Sequence, residues 1–315
     1  MANAIGCDTC DIRALVWQSP RLISTAMTQT EPGKPPLGSP GPHPVWRLIE
    51  LMIGNFSAPP GRTRIAVALA YGALCHLVFA AAILAMVWTL WNGMMTGLGA
   101  VPFPYAILVN AALVLQFPLL HSLFLNGRGA KVPGRVLPGP WGKTLAATTY
   151  TIFASLQLLA LFLLWTPSGI VWWRAEGAAL WVVLALHVAS WLFLVKSNLD
   201  AGAELQSGAL GWMSLVQLRD PAWPDMPTRG LFTLIRQPIY VGFTLVLWTV
   251  PTWTPDQLAV AAVLTAYCLI APARLKEPRY LRRFGAQYAR YRDAVPYMIP
   301  GRPRPTERKQ DPTHG

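Results

Sequence analysis

Few residues in this sequence have the type and spacing to do chemistry, and most of them lie near its C-terminal end. Arg236, Gln237 and Pro238 open the run "RQPIYVGF" at the start of an apolar stretch. A planar guanidinium there can hold a carboxylate with two parallel hydrogen bonds. It can equally be a positive anchor at a helix entrance. Pro238 suits a first helical turn, where its missing N–H costs nothing, and such an exposed helix start can bind an anion. Forty residues on, Glu277 heads the series Leu281, Phe284, Tyr288, Tyr291, Val295, whose steps of four and three trace one face of one helix. Glu277 is therefore in phase with apolar residues rather than with the arginines around it. An inward carboxylate needs a partner, either a structural ion pair with Arg236 or Arg279, or a ligand.

Other candidates are weaker. His121, in "LLHSLF" at the end of an apolar run, reads as an interfacial hydrogen-bonding residue or a substrate contact. His187 lies mid-span and reads as a bond to a neighbouring helix. Cys7 and Cys10 form an isolated C-x-x-C, and no His/Cys/Asp/Glu cluster has metal-ligand spacing, so no metal is expected. The Gly-rich "GAELQSGALGW" (202–212) lacks the lysine of a phosphate loop; it reads as a cofactor cover or a plain loop.

The elements that must position these residues are membrane helices. The chain has 315 residues, 53% hydrophobic and only 13% charged, against about a quarter charged in soluble domains. Its 14 tryptophans suit bilayer interfaces. The net charge of +12 resides mainly in loops and tail, which points to membrane topology and lipid rather than nucleic acid. Residues 1–60 include the Pro/Gly-rich "TEPGKPPLGSPGPHP" and read as a disordered extension, with Met27 a candidate start and Val45–Phe56 a surface-lying apolar patch. Apolar runs follow at Ile65–Trp91, about 100–125, Leu145–Trp165 and Ala178–Val195. The last block, Ile239–Ala273, is broken by Pro251 and Pro255 and reads as a hairpin with a short first arm.

Lys and Arg crowd the second and fourth loops and the tail, whereas the alternate connections carry only Arg174. The positive-inside rule then predicts an all-α polytopic bundle of about six apolar segments, both termini cytoplasmic, with a C-terminal hairpin and an amphipathic helix in the cytosol. We divide it into a bundle over 61–200, a C-terminal module over 201–300 and a disordered tail over 301–315.

"RQPIYVGF", the hairpin and "LKEPRYLRRFGAQYARYRDAVPYMIP" resemble the C-terminal module of the isoprenylcysteine carboxyl methyltransferase-like superfamily. That module carries R-H-P-x-Y-x-G, a glutamate pair and G-x-x-Y-x-x-Y. "LLHSLF" and the stretches "TTYTIFASLQLLALFLLWTP" and "WTVPTWTPDQLAVAAVLTAYCLI" are similar to the membrane methanethiol S-methyltransferases and NnrU-type membrane proteins. The resemblance implies an inner-membrane enzyme with an S-adenosylmethionine site at the hairpin's cytosolic end. It places Arg236, Gln237, Pro238, Tyr240, Gly242, Glu277 and Tyr288 at the cofactor, with Arg236, Glu277 and His121 as catalytic candidates. Two departures stand out: Gln237 replaces the motif histidine, and Lys276 the first glutamate. Gln cannot titrate, so no general base stands there. A small thiol, partly ionised at neutral pH, or a related chalcogen nucleophile or lipophilic acceptor then fits better than an amine, with a carboxylate second. The alternative is a non-catalytic transporter or accessory protein of NnrU type.

Overall fold

The computed structural model describes residues 44–301. Cys7, Cys10, Met27 and residues 302–315 lie outside the described residues. Helix α1 (Pro44–Gly54) leads into α2 (Arg62–Trp91), α3 (Tyr105–Leu125), the short α4 (Gly139–Thr144) and α5 (Ala146–Leu164). After β1 (Trp173–Arg174) come α6 (Gly177–Asp200), α7 (Ala203–Gln206) and α8 (Ala209–Val216). Helix α9 (Pro238–Trp248), β2 (Thr252–Trp253) and α10 (Pro255–Ala271) form the hairpin, followed by α11 (Glu277–Phe284) and α12 (Ala286–Ala294).

The fold is an all-α polytopic membrane bundle. Five helices among the described residues are long and apolar enough to cross a bilayer, and α9 is a shorter sixth segment. Their outward faces carry Leu77, Leu84, Leu108, Leu119, Trp181 and Leu192, all more than half exposed, as lipid-facing side chains should be. Lipid tails are as apolar as leucine, so close packing rather than water exclusion must hold such helices together. Small residues provide it. Gly242 of α9 sits against Leu194 of α6, where an added Cβ would lie 3.0 Å from the leucine Cα. Gly72 of α2 lies flat against the Trp212 indole. A core of Met86, Leu90, Leu161, Phe162, Leu194, Val246 and Val260 joins α2, α5, α6, α9 and α10.

At one end, the connections 92–104, 165–176 and 249–254 interlock. β1 pairs antiparallel with β2, with Trp173 opposite Trp253. Asp256 accepts from Trp165 Nε1 at 3.1 Å, Ser168 N at 2.9 Å and Ser168 Oγ at 2.5 Å. The opposite end gathers the basic loops: Arg279 donates to Leu125 O, and Arg64 to the carbonyls of Leu215 and Val216. Arg64 is thus more than a topology anchor, because it satisfies last-turn carbonyls of α8.

Several expectations change. The disordered extension expected over 1–60 does not hold for residues 44–54, because α1 packs Leu51 against Ala209, Leu210 and Met213, and Arg47 pairs with the fully buried Glu204 at 2.8 Å. The segment 202–212 is no loop: α7 and α8 wedge it into the bundle, with Gly208 (φ +75) against Cys75 and Thr151. The face starting at Glu277 is not one helix, since Gly285 (φ +53) separates α11 from α12. His187 accepts from Trp191 Nε1 at 2.9 Å within its own helix, and the expected link to a neighbouring helix is its 3.5 Å contact with Thr249 Oγ1 at the end of α9.

Candidate active site

The hairpin delivers the N-terminus of α9 and the C-terminal end of α10 to the basic end of the bundle. Between α10 and α11, Pro272–Lys276 form a π-helical turn. The extra residue in such a turn re-aims the side chains after it. Lys276 and Glu277 consequently meet Arg236 and Gln237, forty residues earlier.

Glu277 Oε1 accepts from Arg236 Nε at 3.0 Å and from Gln237 Nε2 at 3.1 Å. The structural ion pair is therefore present, with both partners at the edge of a cleft, 12% and 14% exposed. Gln237 is buried, 1% exposed, and uses both ends of its amide, because Oε1 accepts from Lys276 Nζ at 2.8 Å. The orientation of this amide is fixed by its partners: an ammonium only donates and a carboxylate only accepts. The two departures from the family motif are thus one linked feature. With lysine at 276, position 237 must present an acceptor to it and a donor to Glu277, and an amide does both.

Arg236 is also a staple for the C-terminus. Its Nη1 donates to Arg292 O and Val295 O, both at 2.6 Å, and its backbone N–H to Pro296 O at 2.9 Å. Gln237 N–H goes to Tyr297 O at 3.2 Å, and Tyr291 Oη donates to Phe232 O at 2.7 Å. The expected anion site at the start of α9 is accordingly not available at these two amides, which the returning chain has filled.

Pro227, Phe232, Arg236, Gln237, Lys276, Tyr280, Tyr288 and Tyr291 line a small cleft of about 10 Å³, room for about one water molecule. Tyr288 is buried beside Glu277. Burial first, and then the neighbouring carboxylate, push its phenol well above the ordinary tyrosine value. Burial raises Tyr291 in the same way.

Of the residues singled out in the sequence, Arg236, Gln237, Glu277 and Tyr288 come together here. Tyr240 faces Lys276, with its ring centroid 5.5 Å from Nζ. Pro238 starts α9 as expected, and Gly242 serves helix packing against Leu194. His121 does not line the cleft; it meets Tyr150 Oη at 2.8 Å and stacks near Phe117, a placement that fits the structural alternative. Phe232, Tyr280 and Pro227 were missed. Tyr280, one turn after Lys276, carries an i, i+4 signal; Phe232 and Pro227 carry none.

The comparisons now decide the family. The chain is 30% identical over 247 residues to a methanethiol S-methyltransferase of Pseudomonas sp. (strain GM41(2012)), covering 74% of this chain and 90% of that one. It belongs to the membrane methanethiol S-methyltransferase/isoprenylcysteine carboxyl methyltransferase-like superfamily. Methanethiol S-methyltransferase 2 of Bradyrhizobium diazoefficiens is 29% identical over 195 residues, covering 62% and 73% of the two chains. Nurim of Rattus norvegicus is 32% identical over 183 residues, covering 55% and 68%. No family model and no solved structure matches the chain. Membership in this superfamily puts the Arg236–Gln237–Lys276–Glu277 cluster in a multi-pass membrane protein, several of whose relatives are called methyltransferases.

Proposed function

We propose that this chain is an inner-membrane methyltransferase that uses S-adenosylmethionine and methylates a small thiol, with a lipophilic or carboxylate acceptor second. The observation that carries the reading is the cleft. It joins a carboxylate, a guanidinium and a cup of aromatic rings at the basic end of a chain aligned with methanethiol S-methyltransferases. These groups fit such a donor chemically. Glu277 can accept from its ammonium or ribose hydroxyls, Arg236 can hold its carboxylate, and ring faces suit its cationic sulfur. The fit requires motion: the cleft of about 10 Å³ is far smaller than the roughly 300–1,000 Å³ of typical ligand pockets.

When bound, the donor supplies an electrophilic methyl group; the rest falls to the chain. Arg236 and Gln237 cannot take a proton, Lys276 is engaged as a donor, and burial keeps Tyr288 and Tyr291 protonated. Glu277, the remaining candidate, is engaged by Arg236 and Gln237, so no free base is poised at the cleft, and an acceptor that arrives ionised suits it. A thiolate does so, as does a carboxylate. The residues then act by holding the reactants in line and excluding water. Helix α9, 11 residues or about 16 Å long, is half a bilayer core, so its N-terminal cleft is recessed and reachable by lipophilic acceptors from the side. In this reading the basic end and both termini face the cytosol.

A second reading is a non-catalytic membrane protein of the same fold, favoured by Lys276, whose side chain fills the cleft. Purified protein with methyl-labelled S-adenosylmethionine, offered methanethiol, longer thiols and prenylcysteine, separates the two. Labelled thioether supports the proposal. Donor binding without label in any acceptor favours the second reading.

A further inference from the structure

Lys276 Nζ lies 5.4 Å from the Tyr280 ring centroid, 5.5 Å from Tyr240 and 5.7 Å from Phe232. Each distance is within the reach of a cation–π attraction, about 6 Å. Three rings around one ammonium make an aromatic cage, an arrangement that recognises onium centres rather than lysines in particular. The rings come from separate pieces: Phe232 from the turn before α9, Tyr240 from α9 and Tyr280 from α11. Only the folded module assembles them. Gln237 Oε1 completes the cup as the one hydrogen-bond acceptor to Nζ among the described residues.

We propose that Phe232, Tyr240 and Tyr280 form a binding site for an onium cation, a sulfonium first, and that Lys276 is its tethered resident, which an arriving methyl donor must displace. The cage itself stands on these distances; naming the sulfonium of S-adenosylmethionine as the displacing cation rests on the function proposed above. Two cations cannot share one cup, because at a few ångströms in a poorly solvated site their repulsion exceeds what the rings return. Lys276 must therefore withdraw or give up its proton, and when it withdraws Gln237 Oε1 is freed to accept from the ligand. Lys276 discriminates by charge: it opposes a donor with cationic sulfur and opposes the demethylated product, neutral at sulfur, much less. The consequence is a site that holds its donor weakly and releases nothing of the cage without it.

The test compares S-adenosylmethionine and S-adenosylhomocysteine by calorimetry on wild-type protein and Lys276→Met. The expected result is a rise of about tenfold or more in affinity for the sulfonium compound, with less than about threefold for the thioether. Equal gains for both would reduce Lys276 to a steric plug, and weaker sulfonium binding would make it a ligand contact; either overturns the proposal. Trimethylsulfonium tests the cage without the adenosyl group. It should bind Lys276→Met, bind wild type much less, and lose affinity in Lys276→Met with Phe232→Leu. If it binds so while neither adenosyl compound binds, the cage stands and the cofactor assignment falls. If it binds no variant, the cage falls. Should Lys276→Met not fold, Lys276→Gln removes the charge while keeping a donor for Gln237, and the same ratios apply.

Discussion

Replacing Arg236 with lysine keeps the charge at the cleft but removes the planar fork. Arginine makes three side-chain bonds here: one to Glu277 and two, through Nη1, to Arg292 O and Val295 O. A lysine ammonium can retain Glu277 but cannot reach both carbonyls in the same geometry. Hydrogen bonds to charged groups contribute about 1.5–3 kcal/mol each, and one of these two is solvent-facing. Taking the low end, the lost pair is worth about 2–3 kcal/mol, or roughly a 30- to 150-fold shift in the local opening equilibrium. The two bonds tie the carbonyls of Arg292 and Val295 to the start of α9, so the loss should appear around them as local unfolding. Hydrogen exchange followed by mass spectrometry in detergent or nanodiscs reads this directly. Amides of 286–297 should exchange about 30- to 150-fold faster in Arg236→Lys, with those of α2, α5 and α10 unchanged. Tyr291→Phe, which removes one neutral bond to Phe232 O, should give only about a fivefold change over the same peptides. Unchanged protection of 286–297 in Arg236→Lys, or faster exchange spread evenly over the spans, would refute the staple.

Asp256→Asn, at the far end, weakens bonds from Trp165 and Ser168 and should cost about 1–3 kcal/mol of stability in denaturant unfolding while donor affinity stays within twofold. Gly242→Leu should break the α6–α9 contact and lower the apparent Tm sharply, whereas Gly242→Ala, whose Cβ meets Leu194 at 3.0–3.2 Å, should cost about 1 kcal/mol. Burial raises the phenol of Tyr288, so the folded state holds that proton more tightly than the unfolded chain. The resulting stability is present below the unfolded value near 10 and is lost as pH rises above it; spectrophotometric titration should show a delayed phenol in wild type that is missing in Tyr288→Phe.

The sequence announced the bundle because composition, proline placement and the Lys/Arg asymmetry are properties of the chain alone. The hairpin break at Pro251 and Pro255 and the inward phase of Glu277 needed no tertiary information either. The continuous helix after Glu277 failed at Gly285, whose side-chain-free backbone turns where the periodic pattern runs straight on. The segment 202–212 was misjudged because its glycines signal a loop and a close helix contact equally well. Lys276 was visible only as a departure from a motif. Its meaning depends on Phe232 and Tyr240, which reach it through the π turn and the hairpin, and spacing along the chain encodes neither.

The central claim is that the Arg236–Glu277 cleft receives the methyl donor, and calorimetric titration of S-adenosylmethionine into wild-type and Glu277→Gln protein tests it most directly. Glu277→Gln keeps an acceptor for Arg236 and Gln237, and hydrogen exchange over 286–297 checks that the module stays docked. The account predicts binding by the wild type and a loss of at least about tenfold in the variant. No binding by the wild type, or equal binding by a docked variant, would contradict it.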